Sequence, residues 1–157
     1  MKKADRTKYN VSKSTESRTA DSMVFDSALE MRYYTEVVLP GVLSGDITHW
    51  ERQKPYELQP KFKWGGKTIR PIVYVADFYI ERADGTSLVV DTKGNPDAVA
   101  LLKRKMFHYK YPDVPYIWLS YSKMDGGWIE YDELKRARKQ RKAAKKNADR
   151  HPMRDDN

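Results

Sequence analysis

The sequence contains no cysteine and only three histidines. Without cysteine there is no disulfide, no thiolate zinc site and no cysteine nucleophile. The histidines, at His49, His108 and His151, are too widely spaced to predict a histidine metal site. Any metal site must therefore rely on carboxylates, which favours hard cations such as Mg²⁺, with Mn²⁺ as a substitute.

Long apolar stretches are also lacking, and none approaches the roughly 20 residues that a membrane-spanning helix requires. The first ten residues, MKKADRTKYN, carry charge with no apolar segment behind it, which argues against a secretory signal. At 157 residues and a mean hydropathy of −0.84, the chain is predicted to be one soluble domain with no membrane partner. We expect it in the cytoplasm.

Positive charge is abundant, with a formal net charge of +8 at pH 7. Much of it lies in the segment KRARKQRKAAKK, residues 135–146. This favours a polyanionic partner, most simply nucleic acid, although solubility alone is the plainer explanation. The predicted phosphate contacts are Lys135, Arg136, Arg138, Lys139, Arg141 and Lys142.

Composition divides the chain into three parts. Residues 1–22 are polar and lack periodicity, which predicts a flexible arm. Residues 23–131 carry the periodic segments, and residues 132–157 are predicted to be a basic helix that fades into disorder. No internal repeat is present.

The central part alternates helical and strand patterns. A helix is predicted to open at Ser27 and to kink or end at Pro40. Strands are predicted next, at 56–64, 68–82 and 87–93. A helix capped by Asn95 then runs to about Tyr111, and its apolar stripe consists of Val99, Leu102, Met106 and Tyr109. A last strand covers 116–121. This order predicts an α/β fold, with a mixed central sheet flanked by helices.

Three charged residues lie on the two strands joined at Asp84 and Gly85. Asp91 and Lys93 share one strand face because successive side chains alternate. A three-residue connection with Gly85 in the left-handed conformation pairs Arg82 with Thr86 and brings Asp77 opposite Asp91. Two opposed carboxylates between apolar segments need a cation, most naturally a divalent metal. The alternative is structural: Asp77 pairs with Lys93, and Asp91 serves turn chemistry.

Two further residues are ambiguous by themselves. Ser27 and Glu30 have the spacing of a capping box, in which both side chains bond helix N-terminal amides. Gln59 is an ordinary strand residue unless the fold brings it to the site.

Asp77 followed by Asp91-Thr92-Lys93 on hydrophobic strands resembles the signature of the PD-(D/E)XK nuclease superfamily. From Phe25 to about Pro115 the chain is similar to small phage and prophage proteins of this superfamily, described as endonuclease-like or Holliday-junction-resolvase-like. The matching stretches are FDSALEMRYY, ELQPKF, YVADFYI and VVDTKG. The SxLE and QP elements also resemble the nuclease subunit that cuts transposon ends.

The resemblance implies a restriction-endonuclease-like fold and a role for each matching residue. Asp77, Asp91 and the Thr92 carbonyl would bind metal, Glu30 would bind or position it through water, and Lys93 would serve the nucleophile. Gln59 would support the site or contact the scissile phosphate. Some relatives carry a Gln-x-x-x-Tyr pair on the next helix, where Lys105 and Tyr109 stand here. These two would contact DNA, with a solvated helical face as the alternative.

The resulting hypothesis is a Mg²⁺-dependent DNA endonuclease of phage recombination or replication that leaves 5′-phosphate and 3′-hydroxyl ends. The resemblance to phage proteins implies that it acts in the cytoplasm of a bacterial host cell. No segment resembles a base-reading module, so specificity for branched, junction or nicked DNA is expected rather than sequence specificity. Paired cleavage would need a homodimer, and no small-molecule organic cofactor is implied. The alternatives are a non-catalytic DNA-binding accessory protein and a single-strand trimming nuclease.

Overall fold

The structure, a computed structural model, describes residues 16–150. Within that range it contains nine strands: β1 (Thr19–Ala20), β2 (Met23–Val24), β3 (Ile47–Gln59), β4 (Phe62–Trp64), β5 (Lys67–Ile69), β6 (Ile72–Arg82), β7 (Ser87–Thr92), β8 (Tyr116–Ser122) and β9 (Gly127–Glu130). The α-helices there are α1 (Ala28–Tyr33), α2 (Leu39–Ser44), α3 (Ala98–Lys110) and α4 (Tyr131–Arg150). A π-helical segment, Tyr34–Val38, joins α1 to α2.

The central sheet has five strands in the order β3-β6-β7-β8-β9. Strands β7 and β8 are parallel, and every other neighbouring pair in this sheet is antiparallel. Helix α3 makes the crossover that a parallel pair requires. The prediction of an α/β fold with a mixed central sheet is therefore confirmed.

Two clusters of buried residues lie on opposite faces of this sheet, because the consecutive residues Val89 and Val90 of β7 belong to different clusters. The first packs α1 and the π-helical segment against the sheet and includes Phe25, Tyr33, Tyr34, Val38, Ile47, Phe78, Ile80 and Val90. The second packs α3 against it and includes Leu58, Tyr74, Ala76, Val89, Phe107, Tyr116 and Trp118.

The turn between β6 and β7 has the predicted geometry. The amide of Arg82 donates to the carbonyl of Thr86 over 2.8 Å, and the amide of Gly85 donates to the carbonyl of Arg82 over 2.9 Å. Gly85 has φ of 83°, the left-handed conformation that favours glycine. Phe78 pairs with Val90 in the resulting register, so the next residues in line are Asp77 and Asp91.

The predicted apolar stripe of α3 packs against the sheet only at Met106, which is partly buried against the second cluster. Val99, Leu102 and Tyr109 are 59%, 57% and 90% exposed, whereas Phe107 is fully buried. Phe107 inserts among aromatic rings of the sheet, with its centroid 4.4 Å from that of Tyr116. Tertiary packing of one large ring has overridden the apolar pattern of the helix.

The N-cap of α3 also differs from the prediction. Asp97 rather than Asn95 caps the helix, and its carboxylate accepts from the amide of Ala100 over 2.8 Å. Asn95 and Pro96 instead belong to the loop that follows β7. An aspartate three residues before a free helix amide satisfies the N-terminal donors as well as asparagine would.

The strand boundaries differ in two places. Strand β3 begins at Ile47, well before the predicted strand at 56–64, and Pro71 separates β5 from β6 where one strand was predicted over 68–82. Proline lacks the amide that a continuous ladder requires. Pro40 does not end the helical region, because it lies in the first turn of α2, where that amide is dispensable.

Part of the predicted flexible arm has defined structure. Glu16–Arg18 form a 3₁₀ turn, and β1 pairs with β2. The Arg18 guanidinium donates to the carbonyl of Phe25 over 2.8 Å, and the Tyr34 hydroxyl donates to Asp21 over 2.7 Å. These contacts fix the conformation of residues 16–22 against the rest of the domain. Residues 1–15 of the predicted arm, and 151–157 of the predicted tail, lie outside the described residues. No helix in the described range is long and apolar enough to span a membrane.

Candidate active site

Asp77 and Asp91 lie where the β6–β7 ladder stops. Because Arg82 and Thr86 form a hydrogen-bonded pair, alternation along the ladder makes Asp77 and Asp91 a non-hydrogen-bonded pair, the kind with the closer side chains. The amide of Thr92 does not continue the ladder with a carbonyl of β6. It donates to Oδ2 of Asp77 over 2.7 Å, and the Thr92 hydroxyl donates to the same oxygen over 2.9 Å. Thr92 thereby fixes the orientation of the Asp77 carboxylate.

Asp91 is 1% exposed, and its Oδ1 has no hydrogen-bond partner among the described residues. Its ion-pair partner is Lys93, whose Nζ lies 2.5 Å from Oδ2. The predicted alternative, in which Asp77 pairs with Lys93, is therefore not what the structure shows. A fully buried carboxylate normally gathers several donors, and Asp91 has one lysine.

Glu30 is both a helix cap and a neighbour of the aspartates. The Ser27 hydroxyl accepts from the amide of Glu30 over 3.1 Å and donates to its Oε1 over 3.0 Å, so Ser27 and Glu30 are bonded as a cap pair. Glu30 is 6% exposed, and burial, with smaller contributions from Asp26 and Asp91, raises its pKa to about 6. The capping role and a place at the site coexist.

The pKa of Asp77 is also raised, well above its usual range. Burial is the main cause, the negative charges of Asp91 and Glu30 add to it, and Lys93 opposes it. Three carboxylates therefore share one poorly solvated region with a single lysine, an arrangement that an additional positive charge would stabilise.

A pocket of about 680 Å³ opens over these residues. Its walls are the start of α1, the end of β7 and the loop that leads into α3: Asp26, Ser27, Ala28, Leu29, Glu30, Asp77, Thr92, Lys93, Gly94, Asn95, Pro96, Asp97 and Ala100. Within residues 16–150, no three His, Cys, Asp or Glu side chains already stand in a geometry that would hold a metal ion.

Aromatic residues that the sequence analysis missed surround the buried end of the site. The Trp118 ring belongs to β8, whose pairing with β7 sets Trp118 beside Asp91, and Lys93 Nζ lies 5.3 Å from that ring. The Tyr74 side chain is buried close to Asp91 and Tyr116, and burial together with the charge of Asp91 raises the pKa of Tyr74. The alternating pattern of YIWLSY predicts which face of β8 carries Trp118, but its position beside Asp91 follows only from the parallel pairing of β8 with β7.

Other predicted residues lie outside the pocket. Gln59 pairs with Ile72 at the start of β6, five residues from Asp77, and its amide donates to the carbonyl of Pro60 over 3.3 Å. Lys105 and Tyr109 are exposed on α3. The six predicted phosphate contacts are all exposed on α4: Lys135, Arg136, Arg138, Lys139, Arg141 and Lys142.

Two contacts hold α4 against the sheet and set the direction of that basic surface. Leu134 is 2% exposed, and Arg141 forms an ion pair with Asp125 at 2.6 Å. Hydrogen bonds from Arg141 and Ser122 lower the pKa of Asp125. Helix α4 therefore presents its basic residues from a fixed position on the sheet edge.

A protein-family model described as "Protein of unknown function (DUF1064)" matches residues 6–126 of the chain. This range contains Glu30, Asp77, Asp91 and Lys93 but excludes α4. A search of curated proteins finds no match.

Proposed function

The chain belongs to the DUF1064 family, and we propose that it is a Mg²⁺-dependent DNA endonuclease whose active site contains Glu30, Asp77, Asp91 and Lys93. The proposal includes the restriction-endonuclease-like form of the α/β fold, which the sequence resemblance implies. The adjacent antiparallel strands that bring Asp77 and Asp91 together support it.

The carboxylate of Asp91 is the observation on which the proposal depends. It is 1% exposed, its ion-pair partner among the described residues is the Lys93 ammonium at Oδ2, and it lies beside two further carboxylates whose pKa values are raised. If the protein had no use for this arrangement, an apolar residue at position 91 would be at least as stable. A buried carboxylate with so few donors around it is typical of a site that is completed by an ion or substrate.

The donor set fits a hard divalent cation. Asp77 and Asp91 offer carboxylate oxygens, the Thr92 carbonyl is the proposed third ligand, and Glu30 would act through water. Mn²⁺ would substitute because it accepts the same oxygen ligands. When bound, the cation would supply Lewis-acid polarisation of a phosphate and a water that is deprotonated at neutral pH.

The chain's own residues would orient and stabilise the reacting groups. Thr92 holds Asp77 by two hydrogen bonds, so that this ligand is fixed before any cation arrives. Lys93 lies at the pocket wall and is 22% exposed, so its ammonium can face both Asp91 and a phosphate in the pocket. There it would stabilise negative charge that develops on the phosphate oxygens.

DNA is the proposed polyanion because of the charge of the chain and the exposed basic surface of α4. Phosphate contacts from α4 would carry no sequence information. We therefore propose selection by DNA structure, such as junctions, branches or nicks. Cutting two strands would need a homodimer, because one site of this kind cuts one strand at a time.

Cleavage of a DNA panel tests this function. Supercoiled plasmid, nicked duplex, flap, four-way junction and linear duplex are incubated with wild type, Asp77→Ala and Asp113→Ala in Mg²⁺, Mn²⁺ or EDTA. Asp113 is exposed in the loop between α3 and β8 and serves as the matched control. We expect cleavage by wild type and Asp113→Ala with either metal and none by Asp77→Ala. Equal silence of wild type and Asp77→Ala, with DNA binding retained, would instead indicate a non-catalytic accessory protein. Activity that stops when DNA ends are blocked would indicate a trimming nuclease.

A further inference from the structure

Strands β4 and β5 form a hairpin that takes no part in the central sheet. Trp64 and Lys67 pair across a two-residue turn, Gly65-Gly66, in which both glycines have positive φ, 56° and 74°. Two positive φ values are typical of the tight turn that matches strand twist. The hairpin is therefore a preformed element with a defined register.

One face of this hairpin is exposed and carries three apolar side chains beside Lys67. Phe62, Trp64 and Ile69 share that face because Phe62 pairs with Ile69 and residues 62 and 64 alternate in the same direction. Trp64 is 74% exposed, Phe62 44% and Ile69 36%. An isolated two-stranded hairpin is only marginally stable in water, and exposed apolar residues of this kind typically mark a binding surface. We therefore expect this face of the hairpin to bind a partner.

The charge around the hairpin selects the class of partner. Lys61, Lys63, Lys67 and Arg70 are all exposed, and the sequence from Leu58 to Ala76 contains no acidic residue. No ion pair within residues 16–150 involves any of these four side chains. An unneutralised basic rim around exposed aromatic rings complements a polyanion that also offers flat apolar surfaces, which is a nucleic acid with unstacked bases.

The hairpin lies at the same end of the sheet as the candidate active site. It joins the end of β3 to the start of β6, and β7, which is antiparallel to β6, ends at Thr92 in that direction. From Asp77 back to Ile72 the strand covers about 17 Å, at about 3.3 Å per residue. One DNA molecule spanning some five nucleotides could contact both the pocket and the base of the hairpin.

We propose that Trp64 stacks on an unpaired base of DNA, while Lys67, its cross-strand neighbour on the same face of the hairpin, holds a flanking phosphate. The hairpin would then give the protein a preference for DNA that contains single-stranded or unstacked nucleotides over intact duplex. The choice of DNA as the nucleic acid rests on the proposed function, whereas the stacking contact does not require hydrolysis.

The test measures binding in EDTA, where no metal-dependent cleavage occurs. Fluorescein-labelled 20-nucleotide oligothymidine and a 20-base-pair duplex are titrated with full-length wild type, Trp64→Ala, Trp64→Phe and Leu43→Ala. Leu43 is 79% exposed at the end of α2 and is the matched control for loss of an exposed apolar side chain. Far-UV circular dichroism of each variant checks that the fold is retained.

We expect Trp64→Ala to weaken oligothymidine binding roughly 5- to 150-fold, the range measured for loss of one base–aromatic stack. Trp64→Phe should retain most of the affinity, Leu43→Ala should match wild type, and duplex binding should change less than threefold. Replacing Lys67 by glutamine should make the slope of the logarithm of the binding constant against the logarithm of the salt concentration shallower by about 0.7, the value for one phosphate contact on a single strand.

Three outcomes would overturn the inference. Trp64→Ala could bind oligothymidine as wild type does, lose duplex affinity equally, or abolish self-association in sedimentation while leaving DNA binding intact, which would make the face a contact between copies of the chain. Failure of the proposed function is distinguishable, because a protein that never cleaves DNA in Mg²⁺ can still show Trp64-dependent binding in EDTA.

Discussion

Replacing Glu30 by glutamine should remove a loss of stability that the metal-free protein undergoes as the pH rises. The pKa of Glu30 is about 6 in the folded protein, against 4.5 for an unperturbed glutamate. The folded state therefore binds more protons than the unfolded state between these values. The stability contributed by Glu30 is fully present below about pH 4.5 and is lost as the pH rises through 6.

The size of this effect follows from the shift. A change from 4.5 to about 6 corresponds to about 2 kcal/mol, at about 1.36 kcal/mol per pKa unit. For a chain of this length, that free energy is about 4–8 °C in melting temperature. Asp77 adds to the loss in the same direction, because its pKa is also raised by burial and by the neighbouring carboxylates.

Urea unfolding of wild type, Glu30→Gln and Glu36→Gln between pH 4.5 and 7.5, in EDTA and in Mg²⁺, measures this effect. Glu36 lies in the adjoining π-helical segment and is exposed, which makes it the matched control. In EDTA, Glu30→Gln should gain about 2 kcal/mol relative to wild type from low to neutral pH. In Mg²⁺ the wild type should recover stability at neutral pH, because a bound cation stabilises the ionised carboxylates. Parallel curves for wild type and Glu30→Gln in EDTA would refute the reasoning.

Three further predictions concern single residues. Lys93→Met should lower the rate of DNA nicking in Mg²⁺ at least 100-fold, the scale for loss of one electrostatic contact to the transition state. Its DNA affinity in EDTA should stay within threefold of wild type. Equal nicking rates would contradict the catalytic role of Lys93. Gly41→Ala should lower the free energy of unfolding in urea by about 1–3 kcal/mol, because the added Cβ would lie 2.6 Å from Cδ1 and 2.8 Å from Cγ1 of Ile47. An unchanged unfolding midpoint would show that Ile47 can move aside without cost. Phe107→Ala should lower the free energy of unfolding by about 3–5 kcal/mol, and Leu102→Ala should lower it by less than about 0.5 kcal/mol. The reverse order would show that the helix face predicted from the sequence is the buried one.

The geometry of Asp77 and Asp91 was predictable because it depends on local turn chemistry. Ala83, Asp84 and Gly85 select one connection length, and that length fixes which residues of the two strands are opposed. The Asp84 carboxylate strengthens the turn by accepting from the amide of Thr86 over 2.9 Å. The capping pair of Ser27 and Glu30 was predictable for the same reason, since its partners are three residues apart.

Features that depend on distant parts of the chain were not predictable. The buried face of α3 was assigned to the wrong residues, because Phe107 packs against Tyr56 and Tyr116, which lie on strands that the helix sequence does not specify. Trp118 reaches Asp91 only through the parallel pairing of β7 and β8. Gln59 stands where the family resemblance expects a residue of the active site, but the pairing of β3 with β6 sets it beside Ile72 and outside the pocket.

The most direct test of the central claim is single-turnover nicking of supercoiled DNA by Asp91→Asn. Asparagine keeps the size of the side chain and removes the charge that a cation would need, while Asp84→Asn makes the same change in the exposed turn. At saturating protein and Mg²⁺, we predict a rate at least 100-fold below wild type for Asp91→Asn, an unchanged rate for Asp84→Asn, and no cleavage by any form in EDTA. A rate for Asp91→Asn equal to that of wild type would contradict the claim that this buried carboxylate is part of a metal-dependent nuclease site.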